Sequence, residues 1–295
     1  MKYLLEIGLF IIVLFLYLHI YYHLKVSNDL EVYSIQQPSK DKLEEVCNLR
    51  QPLCFDMDNK EILETCNLSY IDENYNPFDI KVRDTLSNDT DNLHLPISLK
   101  EAVELFKKDE AGKYVSENNK DFLEETAMIK KFRYNDLFLR PPLVSNCKYD
   151  LMTGSKKAFT TLRYNLNYRN FFYVTSGKVK VVLIPPKNSK YLYEYKDYDN
   201  FEFRSPINPW DVQDEYKKDF DKIKSLEITL EKGNILFIPP YWWYSIQYQE
   251  ISSVACFYYR TYMNTVAISP EICMNLLQQT NVKHEFLEKY NKMNI

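Results

Sequence analysis

Residues 135–259 are divided into short apolar or alternating runs, at 171–184, 226–230, 235–238 and 253–259, with Pro-Pro, Lys-Gly and Asn-rich breaks between them. Alternation over such lengths buries one or both faces of a strand. Strands that follow one another without long intervening helices close into an antiparallel double-sheet barrel. The aromatic content agrees, since 25 Tyr and 17 Phe favour strands over helices. Only five Gly occur in 295 residues. That excludes the phosphate-cradling loops of dinucleotide and nucleotide-triphosphate folds, which need several closely spaced glycines.

Helices flank this region. Ser98 followed by Glu101 is a capping box that opens a helix to about residue 108, with Leu99, Ala102, Val103 and Phe106 on one face. A second helix is expected over 121–132 and a terminal one over 270–290, where Ile272, Leu276 and Leu277 have helical spacing that suits packing on the barrel or on a second copy. Residues 52–55 read as a first strand, and the Asn- and Asp-rich stretch 59–96 as strands and long loops.

The amino terminus is apolar from residue 7 to 18 apart from Gly8 and Tyr17, and the run extends to 3–5 and 20–22 around Glu6 and His19. That approaches the roughly 20 residues that cross a bilayer as a helix. Tyr17, Tyr21 and Tyr22 cluster at its far end, where an interfacial belt sits. Residues 19–25 contain no small-x-small cleavage pattern, so an uncleaved, single-pass anchor is expected, contacting the membrane through residues 3–24. Lys2 on the short side against Lys25, Lys40 and Lys42 on the other favours a cytosolic body. Six dispersed Cys do not settle the compartment, the acceptor patterns Asn67-Leu-Ser69 and Asn88-Asp-Thr90 favour a lumenal body, and the side of the body stays open.

The organisation is therefore an anchor at 1–24, a polar tether at 25–44, an α/β part at 45–134, a barrel core at 135–262 and terminal helices at 263–295. Hydrophobic residues at 45% supply an ordinary core, and a net charge of -4 argues against a nucleic-acid binder working through a broad basic face. No Cys-x-x-Cys occurs, so no zinc knuckle is expected. His19, His23, His94 and His284 are the whole histidine supply.

Two stretches go beyond generic β-structure. The first is Thr160-Thr-Leu-Arg-Tyr-Asn165, then Asn170-Phe-Phe-Tyr-Val, then Ser176-Gly-Lys-Val-Lys-Val-Val-Leu-Ile-Pro-Pro186; the second is Lys232-Gly-Asn-Ile-Leu-Phe-Ile-Pro-Pro-Tyr-Trp-Trp-Tyr-Ser245. In this order they resemble the cupin-like, Jumonji-C-type barrels of the asparaginyl-hydroxylase kind, over about 52–262. With an amino-terminal anchor, the Asn- and Lys-rich texture further resembles cupin-like membrane proteins of large double-stranded DNA viruses, which implies a host or virion membrane. The fold class is then mainly β (α+β), a double-stranded β-helix (cupin or jelly-roll) barrel with flanking helices and an N-terminal transmembrane helix.

Active members of that family carry a His-x-Asp pair in the first stretch and a His after the tryptophans, which hold Fe(II) while 2-oxoglutarate binds beside them. Carried over by position, Arg163 stands at the first His, Asn165 at the Asp and Tyr244 at the distal His. Thr160 matches a cosubstrate-contacting position, and Val179 stands where the family has a lysine. The expectation is a chain without metal or cofactor that is not an enzyme and has a binding or structural role. Two alternatives stay open: an Fe(II)/2-oxoglutarate oxygenase with a non-standard site, and a carbohydrate-binding barrel.

Arg163 and Asn165 are two apart on a strand and share a face, which the resemblance places toward the barrel cavity. A guanidinium there demands a nearby carboxylate or a bound anion. Either Arg163 pairs with an internal acid and holds the barrel shut, or it receives an anionic ligand with Asn165 and Tyr244. Thr160, Asn170, Trp242 and Trp243 are further ligand-contacting candidates, although adjacent tryptophans on a strand point to opposite sides and at least one of them packs. The Tyr-rich segment 191–198 reads as a surface for a protein partner or as a lid over the barrel mouth.

Overall fold

The computed structural model describes residues 2–86 and 94–280. Its helices are α1 (Lys2–Leu24), α2 (Lys40–Cys47), α3 (Lys60–Thr65), α4 (Leu68–Tyr75), α5 (Leu99–Lys108), α6 (Lys120–Glu125), α7 (Met128–Asn135), α8 (Asp214–Phe220), α9 (Tyr262–Ala267) and α10 (Ser269–Gln279). Strands β1 (Tyr33–Ile35), β2 (Leu53–Asp56), β3 (Asp79–Asp84), β4 (Leu95–Ser98), β5 (Tyr114–Ser116), β6 (Val144–Gly154), β7 (Arg163–Tyr164) and β8 (Arg169–Ser176) come first. They are followed by β9 (Lys178–Ile184), β10 (Tyr195–Asp197), β11 (Glu202–Arg204), β12 (Leu226–Glu231), β13 (Asn234–Phe237), β14 (Trp243–Tyr248) and β15 (Ser252–Thr261).

These strands make two sheets, with orders β1-β2-β13-β8-β15-β6-β5-β3-β4 and β10-β11-β7-β14-β9-β12. The expected double-sheet architecture with flanking helices is what the chain adopts. Period-two alternation explains it residue by residue. On β15, Val254, Cys256 and Tyr258 enter the core between the sheets, where they meet Val179, Val181 and Leu183 of β9 and Tyr244, Ile246 and Tyr248 of β14. The alternate residues Ala255, Phe257 and Tyr259 face the other way, into a second core under α2 to α7. A third cluster covers the outer face of the smaller sheet, joining Val182, Ile184 and Trp243 to Phe203, Ile207 and Ile268. The central strands are therefore buried on both faces, which is why they read as near-continuous apolar runs.

Several local features differ from the sequence expectation, each for a visible reason. The single run 171–184 is two strands, because Gly177 at φ +75° turns the chain between β8 and β9. The helix expected over 121–132 is broken in two by Ala127 at φ +57°. The stretch 59–96 contains two helices besides its strands. Asn59 and Asn67 are helix N-caps, accepting from the Ile62 and Ser69 amides at 3.1 Å each, so their side chains start helices as well as loops. The capping box at Ser98 and Glu101 forms as expected. The pattern Asn88-Asp-Thr90 and residues 281–290 of the expected terminal helix lie outside the described residues. All six cysteines are free thiols, with Cys47, Cys66 and Cys256 buried.

Gly154 ends β6 where the ring of the fully buried Tyr248 lies over it, and an added Cβ would overlap that ring directly. Gly154→Ala should therefore lower unfolding stability by about 1–3 kcal/mol through overpacking. The measurement is the urea midpoint at constant m-value; an unchanged midpoint would mean that the Tyr248 ring moves aside freely.

Candidate functional site

The positions singled out in the sequence converge where the two sheets meet. Arg163 on β7 lies opposite Tyr244 of β14 and Arg204 of β11 in the strand register. Asn165, one residue beyond β7, donates from Nδ2 to the Tyr244 hydroxyl at 3.0 Å, and the Arg163 guanidinium carbon lies 5.7 Å from the Tyr244 ring centre. The three residues at the family's metal-ligand positions thus form one cluster. A cavity of about 70 Å³ opens beside them, lined also by Lys148, Asp150 and Glu202.

The carboxylate demanded by a buried guanidinium is Glu117, just after β5 and 1% exposed. Arg163 Nη2 is in direct hydrogen-bonding contact with Glu117 Oε2, and Arg83 Nη2 from β3 lies 3.0 Å from Oε1. His94 Nε2 approaches the same Oε1 at 3.8 Å. Burial alone would raise the Glu117 carboxyl, but Arg163 and then Arg83 hold it well below the usual carboxylate range. The two arginines respond differently. Burial opposes the charge on both, yet contact with Glu117 holds the Arg163 guanidinium well above its ordinary value, whereas burial prevails at Arg83 and lowers it. Tyr244 is pushed up by burial, with Arg163 opposing.

The other candidates are held by the protein itself. Thr160 Oγ1 accepts from the Ile246 amide at 2.9 Å, and its carbonyl accepts from Ser245 Oγ at 2.6 Å. Asn170 Nδ2 donates to the Ile238 carbonyl at 3.0 Å. Trp242 and Trp243 are both fully buried and face opposite ways. The first sits between the sheets and donates to the Ser27 carbonyl at 3.0 Å; the second is in the outer cluster and donates to Ser189 Oγ at 2.8 Å. Val179 is buried between the sheets, while Lys178 and Lys180 on the opposite face pair with Glu231 and Glu227.

A larger cavity, about 720 Å³, opens at the barrel mouth between Arg83, Thr161 and Arg204 on one side and Tyr193, Tyr195 and Tyr216 on the other. Tyr193 and Tyr195, from the Tyr-rich segment, are 47% and 60% exposed. Arg204 is 7% exposed; its Nη2 pairs with Asp197 at 2.9 Å, and its Nη1 has no hydrogen-bond partner among the described residues. Sequence reasoning missed Glu117, Arg83, Arg204 and the inward approach of His94. None of them belongs to a motif, and the one available signal was the demand of Arg163 for an acid.

A family model for a cupin-like domain matches residues 40–265. Over 153 residues the chain is 28% identical to a lysine-specific demethylase of Arabidopsis thaliana, an alignment that covers 50% of this chain and 27% of the relative. The chain thus spans about a quarter of the length of the curated relative it matches. These similarities overturn the expectation that the chain is not an enzyme. That expectation rested on three substituted positions, whereas the domain as a whole matches a family model and has an enzyme among its relatives. The local chemistry is a separate matter. A guanidinium at the first ligand position and a carboxylate already shared by two arginines do not fit a divalent cation, and among the described residues no three His, Cys, Asp or Glu side chains converge.

Glu117→Gln should destabilise the fold by about 3–5 kcal/mol, because two buried guanidinium groups lose their counter-charge. The pH dependence has a defined sign. A carboxyl held below its unfolded value contributes its stability above the ordinary carboxylate range and loses it as pH falls through the folded value. Wild-type urea midpoints should drop by more than those of Glu117→Gln as pH falls from about 5 to about 2.5, below the ordinary glutamate value of about 4.3. Parallel pH curves for the two proteins would remove Glu117 from this role.

Proposed function

This chain belongs to the cupin-like domain family, and we propose that it is a membrane-anchored member whose barrel mouth binds an anionic ligand. The observation that carries the reading is Arg204 Nη1, a nine-tenths buried donor without a hydrogen-bond partner among the described residues, on a residue that lines the 720 Å³ cavity. A buried guanidinium N–H left unmatched costs about 1–3 kcal/mol. A ligand carboxylate or phosphate oxygen recovers that cost and adds a charge-assisted bond. Tyr195 supplies an aromatic wall, with the Arg204 guanidinium carbon 5.9 Å from its ring centre.

Support for the anchor comes from α1, a 23-residue helix long and apolar enough to cross a membrane, whose apolar window has no share buried in the protein. A helix of this kind near the amino terminus also suits a signal sequence; the absence of a small-x-small pattern after it favours retention. The demethylase relative favours a second reading, oxygenase chemistry in the same barrel.

Titration calorimetry of the full chain in detergent with 2-oxoglutarate and with inorganic phosphate tests the binding site. Saturable heat with at least one of them is expected, weakened about 10- to 100-fold in Arg204→Met and less in Arg204→Lys. Binding that is absent for both probes, or indifferent to Arg204, would end the proposal. Succinate formed from 2-oxoglutarate with Fe(II) and oxygen, above a control without protein, would assign the second reading to this chain.

A further inference from the structure

Two helices near the carboxyl end carry apolar side chains that no described residue covers. On α9, Tyr262 and Val266 are 64% and 41% exposed; on α10, Met274, Leu276 and Leu277 are 47%, 54% and 65% exposed, and Cys273 is exposed beside them. Positions 273, 276 and 277 fall on one face of the helix. An uncovered apolar face of this kind marks a contact surface.

Its place in the molecule selects the occupant. Helix α9 packs against α1. Along α1 the body covers only the carboxyl end, where His19 and Ile20 are half-buried and His23 is buried. That joint is fixed. Arg50 Nη1 donates to the carbonyls of His23 at 2.8 Å and Lys25 at 3.0 Å, and its guanidinium carbon sits 4.3 Å from the Tyr22 ring centre. Beyond the helix, Trp242 Nε1 holds the Ser27 carbonyl and Asn28 Oδ1 accepts from the Lys187 amide at 2.8 Å. The barrel therefore cannot swing away from the end of α1 without breaking these bonds. Residues 2–18 of α1 project uncovered for about 25 Å at 1.5 Å per residue, close to the thickness of a bilayer core. The level of Tyr21, Tyr22 and His23 is then the headgroup region, and α9 lies beside it.

We propose that the α9–α10 face is a second membrane contact, resting in the headgroup and acyl boundary of the leaflet from which α1 emerges. This rests on the reading of α1 as a membrane anchor. Tyr262 has the amphipathic side chain that suits such a boundary, and Val266, Leu276 and Leu277 supply apolar area whose burial stabilises the seated orientation. The barrel is held against the bilayer by two surfaces, and its orientation to the membrane follows from both.

The test uses the full chain with Cys54 and Cys147 replaced by serine and an environment-sensitive fluorophore on the native Cys273, reconstituted into phosphatidylcholine vesicles that contain lipid carrying a nitroxide at a shallow or a deep acyl position. A second sample carries the label at Phe10→Cys, with Cys273 also replaced. The expected result is a blue shift of the Cys273 label with loss of emission by the shallow nitroxide, abolished by Leu276→Glu with Leu277→Glu. The Phe10→Cys label should be quenched by the deep nitroxide in either background. Quenching at position 10 with a water-like Cys273 spectrum overturns this contact and leaves the anchor standing; no quenching at position 10 overturns the anchor reading. A blue shift at Cys273 that no nitroxide quenches also overturns the proposal. In that case reversal by truncation after residue 280 would assign the cover to the chain's own carboxyl end, and dependence on protein density would assign it to a second copy.

Discussion

One carboxylate couples the two sheets. Glu117 follows β5 of the larger sheet and takes Arg83 from β3 of that sheet and Arg163 from β7 of the smaller one. Apolar packing between the sheets is non-directional and tolerates sliding, whereas an ion pair with hydrogen-bond geometry fixes the register of one sheet over the other. Arg204 stands next to Arg163 across the strand pair, with Asp197 and Glu202 as its own partners.

The same economy of polar contacts runs through the aromatic core. Tyrosine brings a ring that packs and a hydroxyl that needs a partner when buried. Asp136, 1% exposed, supplies a partner for two of them: its Oδ2 accepts from the Tyr149 hydroxyl at 2.6 Å and the Tyr259 hydroxyl at 3.0 Å, while Arg140 neutralises the charge. Tyr173 reaches the Met57 carbonyl at 2.6 Å. The core under the helices is thus a packed aromatic layer stitched by a few buried acceptors. Tyr248, lying over Gly154, has no hydroxyl partner among the described residues and is held by its packing in the core between the sheets.

The amino-terminal helix is joined to the barrel without a slack segment at its base. Its last turn is capped by Arg50, and residues 27 and 28 are bonded to Trp242 and Lys187. A barrel tied in this way has a defined side toward the helix, and the mouth near Arg204 and the α9–α10 face keep fixed directions relative to it.

Much of this was legible from the order of residues. Alternation in 253–259 marks β15 because a two-residue period must bury both faces of a central strand; Ser98 and Glu101 mark a helix start because their side chains bond within one turn; an apolar run near 20 residues marks α1 because length alone matches a bilayer. Arg163 also announced, by the cost of burying a guanidinium, that an acid would be found beside it. Such local rules could not say which acid. Glu117 lies 46 residues away and Arg83 is 80 positions from Arg163, and they meet only because β3, β5 and β7 are brought to one end of the paired sheets. The inward turn of His94, the unmatched Nη1 of Arg204 and the packing of α9 on α1 were equally invisible, since each depends on contacts between segments distant in the chain. The sequence by itself determined the strands, the caps and the apolar helix, whose causes act within a few residues; the tertiary structure alone decided which charges share a site, because that depends on how the sheets fold over one another.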